Sequence, residues 1–480
     1  MDNFSSWLYV IFIYLLMNVI PANVFAQDFF LYGTHTLAEA GTNPATQVFE
    51  GPKCKSVEFN FFIPQVQGNM KIYGPAGKFI TDANFYNRLN AGEYGAGRSL
   101  LNYATGSFNL HYLSLKVLLN RVWHKELYID YQTRGMASGN LQNKVFSLAL
   151  ASKNQANPTY YDYLNTNTTG MMFNQISVGI RRDLDDEGSS FGFTAGLLSG
   201  IAGARFYVGN SSLKVARDSA NILINGNLRS NLPPNQNNPI TLFNKVGDYL
   251  PNFRNPGLSL NFGYNNATPE DGSSFSINLK DIGFIWWRQA WQTNLKPTDV
   301  ISPLDSFTLK QQINRRFKTF FQTSSKNAWV SPLNSRIEGS YTRNFFSFLR
   351  TTFVLSKTVL DAETYVDVLN DLHSGNLHLI TNTGYDSYNS LDFGMHFLYR
   401  SGKVEAFIGS QRLAPSIRVI NELSTSSVQN GRVAGSIDFG FALKFGECFL
   451  PQTATDMYLD DHPGFFKRLF RRYPEPFTPK

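Results

Sequence analysis

Hydrophobic and polar positions alternate with a period of two over long stretches of this chain, which is the pattern of β-strands. The clearest case is Val433–Phe445, where odd-numbered positions are apolar or glycine and even-numbered positions are small, polar or charged. At roughly 3.3 Å per residue and a tilt of about 40°, such a segment crosses roughly 33 Å, which exceeds the apolar band of about 25 Å in an outer membrane. We interpret it as a membrane-spanning strand; a long strand of a soluble sandwich is the alternative.

Similar alternating segments recur between turn-rich pieces and indicate about 12 to 14 strands. Because single-chain bacterial barrels close with an even number of strands, we predict a transmembrane antiparallel β-barrel of about 14 strands. The segments are Val57–Ile63, Leu127–Tyr131, Phe146–Leu150, Ile176–Ile180, Phe191–Leu197, Leu258–Tyr264, Phe275–Trp287, Ile337–Tyr341, Phe345–Val354, Leu377–Thr381, Leu391–Tyr399, Val404–Ile408 and Val433–Phe445.

Three other regions have no clear alternation. The chain from Pro64 to about Thr105 is rich in Gly, Asn and Tyr, and residues 210–255 are rich in Asn and Pro, so we expect both to be long loops. The segment Leu110–Trp123 has mixed periodicity and fits either a short helix or a bent strand.

The segment Phe275–Trp287 changes the phase of its alternation in the middle. Its apolar positions are odd-numbered up to Leu279 and even-numbered from Ile282 onward. A β-bulge near Lys280 and Asp281 would keep the apolar side chains on one face. Without it, Lys280 or Asp281 would face lipid, at a cost of about 2 to 4 kcal/mol for a lysine.

Three tryptophans lie where this strand is expected to leave the membrane, namely Trp286, Trp287 and Trp291. Tryptophan is enriched at membrane interfaces because its ring is apolar and its N–H is polar. We therefore predict that the three form part of the interfacial aromatic girdle. A platform for stacking a sugar or a base is the alternative.

The N-terminus resembles an export signal. An apolar run, Leu8–Ile20, precedes the small-x-small sequence Val24–Ala26, so we predict a signal peptide over residues 1–26. The segment before the run has no Lys or Arg, and an uncleaved anchor is the alternative. The apolar run is, however, shorter than the ~20 residues that a helical span usually needs.

Composition agrees with a barrel and excludes a helical membrane protein. Hydrophobic residues make up 42% of the chain and mean hydropathy is −0.22. Aromatic content is 15%, and charged residues reach only 16%, against about 25% in soluble domains. The net charge of +7 is spread along the chain, so we expect no nucleic-acid partner.

The chain contains no recognisable catalytic motif, so we expect neither an enzyme nor a cofactor. Its seven histidines are scattered, and no Gly-x-Ser-x-Gly or phosphate-binding loop occurs. His373 and His378 are close in sequence, but no third ligand adjoins them, so a metal site is not expected. The carboxylates of Asp183–Glu187 fit a solvated turn.

The two cysteines flank the predicted barrel. Cys54 lies three residues before the first strand and Cys448 three residues after the last. First and last strands are neighbours in a closed barrel, and the periplasm is oxidising, so we predict a disulfide between them. Two unpaired thiols are the alternative.

The tail after Cys448 interleaves aromatic and basic residues. Such a mixture suits a segment that lies on a membrane or docks a periplasmic partner, and a solvated tail is the alternative. The expected docking residues are Phe465, Phe466, Lys467, Arg468, Phe470, Arg471 and Arg472.

Several motifs together resemble a known group of proteins. These are Asn43-Pro44-Ala45, GFTAGLLSGIAGARF at 192–206, NPGLSLNFGY at 255–264, the Asp281 to Trp287 piece and the closing SIDFGFALKFGEC. They resemble uncharacterised outer-membrane barrels of Bacteroidetes, which in turn are similar to the fatty-acid-transporter superfamily and to type IX secretion barrels. The resemblance implies a barrel of about 14 strands without catalytic residues. It also implies that the N-terminal segment is a lumenal plug bearing Asn43, Pro44 and Ala45.

The expected domain order is a signal peptide (1–26), a plug (27–56), an outer-membrane barrel (57–448) and a periplasmic tail (449–480). We expect a channel or transporter for small hydrophobic molecules, with inward Gly179, Gly263, Gly394 and Gly440 leaving room in the lumen. The alternative is a scaffold or accessory component of a secretion or surface-protein assembly. Expected partners are the lipid bilayer, periplasmic or secreted proteins, and a hydrophobic ligand.

Overall fold

Antiparallel β-strands make up most of the computed structural model. The predicted signal peptide, both cysteines and the basic tail lie outside the described residues. Within the described residues, no helix is long and apolar enough to cross a membrane. The described residues are 31–49, 56–74, 101–120, 124–142, 159–161, 165–184, 188–215, 220–231, 251–268, 272–295, 299–301, 325–359, 364–386, 391–417 and 433–446.

Strands recur from residue 57 onward, and a short helix precedes them. The elements are α1 (Leu37–Thr42), β1 (Val57–Phe59), β2 (Gln65–Tyr73), β3 (Leu101–Asn120), β4 (Lys125–Gln142), β5 (Thr159–Tyr161), β6 (Thr166–Asp183), β7 (Ser190–Val215), β8 (Ala220–Ser230), β9 (Pro256–Thr268), β10 (Ser273–Leu295), β11 (Asp299–Ile301), β12 (Ser325–Pro332), β13 (Arg336–Phe346), β14 (Leu349–Thr358), β15 (Thr364–Ser374), β16 (Leu377–Asp386), β17 (Leu391–Arg400), β18 (Val404–Ser410) and β19 (Val433–Phe445).

Fourteen of these strands close into a barrel, which confirms the predicted fold class and strand number. The ring runs β2, β3, β4, β6, β7, β9, β10, β13, β14, β15, β16, β17, β18 and β19, and each neighbouring pair is antiparallel. β19 then pairs with β2, where Val433 lies opposite Ile72, so the sheet has no free edge in the ring.

Three positions of the wall are built from two strand pieces in line. β1 and β2 both lie between β19 and β3, β8 and β9 both lie between β7 and β10, and β12 and β13 both pair with β10. The piece β1 ends before Pro64, which has no N–H to donate to a ladder. β5 and β11 add short pairings to β7 and β8.

The two ends of the barrel differ in the length of their connections. At one end the strands are joined by short turns, such as residues 121–124, 347–348 and 401–403. At the other end several connections are long, such as residues 74–100 and 411–432, although residues 359–363 and 387–390 are short. Outer-membrane barrels have short turns on the periplasmic side and long loops outside, so we assign the short-turn end to the periplasmic side.

Exposure alternates along the strands with the period that the sequence predicts. In β17, Phe393 and Phe397 are exposed on the outside, while Asp392 and His396 are buried inside. The outward faces of the other ring strands carry similarly exposed Phe, Leu, Ile, Val and Tyr side chains. An apolar belt of this extent is typical of a barrel surrounded by lipid, which supports an outer-membrane location.

The predicted bulge in β10 is confirmed. Leu279 lies opposite Phe262 and Ile282 opposite Leu260, so the two residues between them have no cross-strand partner in β9. Asp281 occupies this bulge with φ 56°, a left-handed conformation that Asp tolerates better than most residues. Both Lys280 and Asp281 are buried on the inside, and the apolar face continues unbroken outside.

Two predicted loops contain strands, which corrects those expectations. β2 lies within the region predicted as loop from Pro64 to Thr105, and β8 lies within residues 210–255. In β2 the inward Gln67, Asn69 and Lys71 are all polar, and the outward face includes a glycine, so its apolar signal is weak. The undecided segment Leu110–Trp123 belongs largely to β3, whose register shifts after His111.

The seam of the barrel brings the two cysteine-bearing regions together. Val57 lies opposite Phe445, and the Ser56 N–H donates to the Phe445 carbonyl at 3.2 Å. Cys54 and Cys448 themselves lie just outside the described residues, so their disulfide remains a prediction.

We predict a disulfide between Cys54 and Cys448 because the adjoining residues already lie side by side. Peptide mass spectrometry of protein purified with an alkylating agent should yield the linked peptide before reduction and two separate peptides after it. Recovery of both cysteines in alkylated form before reduction would contradict the prediction.

Candidate functional site inside the barrel

The N-terminal segment, residues 31–49, has a helix start that satisfies its own polar groups. The Thr36 side chain accepts a hydrogen bond from the Glu39 N–H at 3.1 Å, which caps α1. The Glu39 carboxylate in turn accepts from the N–H groups of Gly33 at 2.8 Å and His35 at 2.6 Å. This is a variant of the capping box, and its hydrogen bonds offset the cost of burying the Glu39 side chain inside the barrel.

Apolar side chains of the N-terminal segment pack against two groups of strands in the barrel wall. One cluster joins it to β4 and β19, and the other joins it to β16, β17 and β18. Because the Pro44 carbonyl also approaches Gly192 of β7, on the opposite side of the ring from β17, the segment lies across the lumen. The first cluster contains Leu37, Ala40, Val48, Phe49, Tyr128 and Ala442, and the second contains Leu31, Ala38, Ile380, Leu398 and Phe407.

The Asn-Pro-Ala motif is the most tightly held part of the segment. Asn43 Oδ1 accepts a hydrogen bond from the Ala45 N–H at 3.0 Å, which fixes the turn around the proline. The Ala45 carbonyl accepts from Arg181 Nε and from Ser190 Oγ, each at 3.0 Å. Asn43 and Ala45 are both buried.

Two glycines of the wall make the space in which this motif lies. Gly192 of β7 and Gly263 of β9 are opposite each other in register. A Cβ added at Gly192 would lie 2.0 Å from the Pro44 carbonyl oxygen, and one at Gly263 would lie 2.9 Å from the Ala45 nitrogen. Only glycine allows the N-terminal backbone to approach this closely. We call this set, Asn43–Ala45 with Gly192 and Gly263, the Asn-Pro-Ala socket.

The other inward glycines do not leave room either, which corrects the sequence-based expectation. A Cβ at Gly179 would lie 2.5 Å from Thr194 Oγ1, and one at Gly394 would lie 2.0 Å from Asn382 Oδ1. A Cβ added at Gly440 would lie 2.2 Å from the Phe407 ring. The space that these glycines provide is occupied by neighbouring side chains.

Charged side chains of the wall also bind the N-terminal segment. Lys116 Nζ donates to the Thr46 carbonyl at 2.6 Å and pairs with Glu126 at 2.7 Å. Glu405 Oε1 accepts from the Leu37 N–H at 3.1 Å. The Tyr32 hydroxyl donates to Glu338. Burial, together with the Glu338 carboxylate, holds the pKa of Tyr32 well above its usual value, so this hydroxyl keeps its proton.

A network of buried charges occupies the centre of the lumen beside the socket. Asp281 accepts two hydrogen bonds from Arg134, at 2.5 and 2.8 Å, and lies 3.8 Å from Arg336. Lys280 pairs with Glu338 at 2.5 Å. The space left among these groups is about 40 Å³, which holds roughly one water molecule. The centre of the lumen is therefore filled.

An apolar layer lies inside the barrel on the outer side of the charged network. Its members face the lumen, where the side chains of membrane barrels are usually polar. Trp287 and Trp329 stack at its centre with ring centroids 6.1 Å apart. No acceptor among the described residues reaches the buried Trp287 indole nitrogen. The apolar layer consists of Met171, Phe173, Leu198, Ile285, Trp287, Ala290, Trp329 and Leu333.

The structure divides the three predicted girdle tryptophans. Trp286 is 44% exposed on the outside, with the Arg288 guanidinium 5.3 Å from its ring centre. Trp287 is fully buried in the lumen against Gly203, so its assignment to the girdle is wrong. Successive strand residues point to opposite faces, so adjacent tryptophans cannot both meet lipid. Trp291 is half-buried and carries Lys326 over its ring at 4.6 Å.

A methyl group at Gly192 should displace the Asn-Pro-Ala motif. We expect Gly192→Ala to reduce stability by about 1 to 3 kcal/mol, as overpacking does, and to expose residues 31–49 to protease. Limited proteolysis in detergent and urea unfolding in vesicles would measure both effects. Gly106→Ala is the matched control, because a Cβ there meets nothing closer than 3.6 Å. Equal protease resistance of the two variants would contradict the prediction.

Removing the Asp281 carboxylate should leave the Arg134 guanidinium without its anion, whereas Arg336 keeps Glu338 at 3.7 Å. We expect Asp281→Ala to destabilise the barrel by about 3 to 5 kcal/mol, the usual cost of breaking a buried pair. The double variant Asp281→Leu with Arg134→Met should recover part of this loss, because it removes the stranded charge as well. Urea unfolding in vesicles, followed by tryptophan fluorescence, would measure the difference. A single variant as stable as the wild type would overturn the assignment.

Comparison with known proteins gives a family match and distant structural likenesses. Residues 77–411 match the model described as "Family of unknown function (DUF5723)". No curated protein matches. Among solved structures, the chain is similar to a TodX deltaS2S3 mutant monoaromatic hydrocarbon channel, with 8% identity, TM-score 0.42 and coverage of 89% of this chain and 96% of that one.

Two further structures are similar over most of their length. The translocator domain of autotransporter NalP from Neisseria meningitidis matches with 6% identity, TM-score 0.31 and coverage of 82% of this chain and 89% of that one. The siderophore receptor PirA from Pseudomonas aeruginosa matches with 9% identity, TM-score 0.22 and coverage of 81% of this chain and 80% of that one.

Proposed function

We propose that this chain, which belongs to the DUF5723 family of unknown function, is an outer-membrane channel for small hydrophobic molecules, closed by its own N-terminal segment. It is not an enzyme in this proposal, and its N-terminal segment acts as a plug. The observation that carries the proposal is the apolar layer inside the barrel.

The apolar layer supports a hydrophobic cargo because it offers apolar contacts on the inward face of the barrel. Inward side chains of a barrel normally meet water or polar groups. Here Trp287, Trp329 and Phe173 are buried together towards the long-loop end. A neutral aromatic or aliphatic molecule entering from outside would contact these side chains before the charged network. The Trp287 indole N–H would be available to a polar atom on such a molecule.

The width of the barrel supports a plugging role for the N-terminal segment. Barrels of about 8 strands are filled by their own side chains, whereas barrels of 16 to 18 leave a channel. A ring of 14 strands lies between these limits, and residues 31–49 lie in the space that it encloses. The segment is held by hydrogen bonds and apolar packing, which can be exchanged for water and cargo. Movement of the segment would open the lumen.

Conductance of planar bilayers tests the plug. Wild-type protein should show little conductance, because the centre of the lumen is filled. A variant lacking residues 31–49 should show stable open steps, because the deletion removes the backbone that occupies the Asn-Pro-Ala socket. The matched control is Gly106→Ala, which leaves the socket intact and should stay closed. Closed behaviour of a correctly folded deletion variant would contradict the plug.

Uptake into vesicles tests the cargo. Vesicles containing the deletion variant should admit a neutral aromatic dye faster than an uncharged sugar of similar size, because the apolar layer favours the dye. Phe173→Asn and Leu198→Asn should reduce this preference without closing the channel. Equal entry of both solutes into vesicles with an unaltered apolar layer would contradict a hydrophobic cargo.

A non-transporting scaffold is the second candidate, and the filled lumen favours it. With room for roughly one water molecule at its centre, the barrel could serve only to hold partners at its ends. The tail over residues 449–480 and the long loops would then bind periplasmic or secreted proteins, as in a secretion or surface-protein assembly. Native mass spectrometry of detergent-extracted protein separates the two functions. A lumenal lipid or small molecule supports transport, whereas a stoichiometric protein partner without such a ligand supports the scaffold.

A further inference from the structure

Two histidines face each other at the periplasmic end of the β15–β16 hairpin. His373 lies directly opposite His378, and their ring centroids are 5.5 Å apart. Leu372 and Leu377, which have the opposite strand parity, are exposed on the outside. The two imidazoles therefore point to the inner side of the barrel mouth. Directly opposed residues in antiparallel strands are close enough for their side chains to meet at one point.

A carboxylate completes the group. Asp371 lies two residues before His373 on the same face of β15, and it is buried. His378 Nδ1 is 3.0 Å from Asp371 Oδ1. One ligand atom from each of the three side chains can be chosen such that all lie within 4.8 Å of one another.

The His373 ring has an unused nitrogen in this group. Its Nδ1 atom is buried and has no hydrogen-bond partner among the described residues. Buried polar atoms are rarely left without a partner, so this nitrogen requires an explanation. A bound cation would supply one, because neutral imidazole is a common ligand of transition metals.

We propose that Asp371, His373 and His378 bind a divalent transition-metal cation, for which Zn²⁺ is the representative probe. Zinc binds imidazole nitrogen and carboxylate oxygen at about 2.0 to 2.2 Å, so two ligands of a tetrahedral site lie about 3.4 Å apart. The separation of 3.0 Å between His378 Nδ1 and Asp371 Oδ1 is already near this value. The cation binds between these two atoms in the His378 tautomer that carries its ring proton on Nε2, which leaves Nδ1 free as a ligand, and His373 reaches the cation by a side-chain rotation.

Arg350 acts on the other oxygen of the carboxylate. Its Nη2 atom donates to Asp371 Oδ2 at 2.6 Å, which holds the carboxylate in place with Oδ1 and Oδ2 at 3.0 and 3.1 Å from His378 Nδ1. Carboxylates that bind metals are commonly held by such a hydrogen bond. The guanidinium charge also opposes a cation, so we expect moderate affinity, suited to reversible binding.

The group is open to the periplasm. A cavity of about 410 Å³ adjoins it at the short-turn end of the barrel. A hydrated cation can enter through this cavity, and water or a periplasmic ligand can complete the coordination. The cavity is lined by Asn344, Phe345, Phe346, Ser347, Arg350 and His373.

Zinc binding by the full-length, untagged protein in detergent tests the proposal. Equilibrium dialysis against ZnCl₂ with elemental analysis should show a site that His373→Ala, His378→Ala and Asp371→Ala each weaken at least about tenfold. His124→Ala is the matched control, because His124 lies in another short turn of the same end, and it should bind as the wild type does. Unchanged binding by the His373→Ala/His378→Ala double variant, or no binding by the wild type, overturns the proposal.

Electron paramagnetic resonance with Cu²⁺ separates a direct role from a loss of folding. The wild-type spectrum should show nitrogen couplings from two imidazoles, and each single histidine variant should show one fewer. Heat-dependent migration on gels would verify that every variant forms the barrel. Identical nitrogen couplings in the wild type and both folded histidine variants would overturn the assignment of these residues as ligands.

Discussion

The bulge at Lys280 and Asp281 determines which side chains of β10 face the lipid and which face the lumen. A strand alternates strictly, so a chain that must keep apolar residues outside can change phase only by inserting a residue. Here the insertion turns two adjacent charged side chains into the lumen, where a regular strand would have put one of them in lipid. Lys280 then pairs with Glu338, which also accepts from Tyr32 of the N-terminal segment. Both the unbroken apolar outer surface and the Glu338 contact with the N-terminal segment thus depend on the same β-bulge.

The interior is organised as a charged centre bordered by an apolar layer, and the two differ in how they resist change. Buried ion pairs contribute little net stability, because desolvation offsets their attraction, but they are costly to break singly. The Asp281 to Arg134 pair therefore fixes which groups meet more than it strengthens the fold. The apolar layer is held by packing and the exclusion of water. A cargo that replaces those contacts can enter it at low cost, whereas entry into the charged centre requires compensation for each broken pair.

The outward half of the fold could be predicted from the sequence and much of the inward half could not. Lipid selects apolar side chains at every second position, so β17 and β19 are visible as patterns, and the bulge is visible as a change of phase. The lumen does not select one class of side chain in this way, because its inward positions hold both polar and apolar residues. β2 escaped prediction because Gln67, Asn69 and Lys71 face inward beside a glycine on the other face. The girdle prediction treated Trp286 and Trp287 alike, although adjacent strand residues point to opposite faces and only Trp286 faces lipid.

Contacts between distant parts of the chain also could not be predicted from the sequence. The Asn-Pro-Ala motif was noticed as a motif, but its dependence on Gly192 follows from a contact between residues about 150 positions apart. The position of Asp371 beside His373 and His378 arises from a hairpin register that alternation does not specify. One signal was present: Asp371 and His373 have the same parity, and a short turn separates His373 from His378.

The length of β7 has a consequence for the shape that the cell surface meets. Its 26 residues rise roughly 66 Å at about 3.3 Å per residue and a tilt of about 40°, whereas the apolar band is about 25 Å tall. With β8 and β10 paired alongside, the sheet continues well above the lipid. Tyr207, 47% exposed, lies on that upper wall. The outer end of the sheet therefore projects beyond the lipid as a hydrogen-bonded rim. Molecules that approach from outside meet this rim before they reach the bilayer.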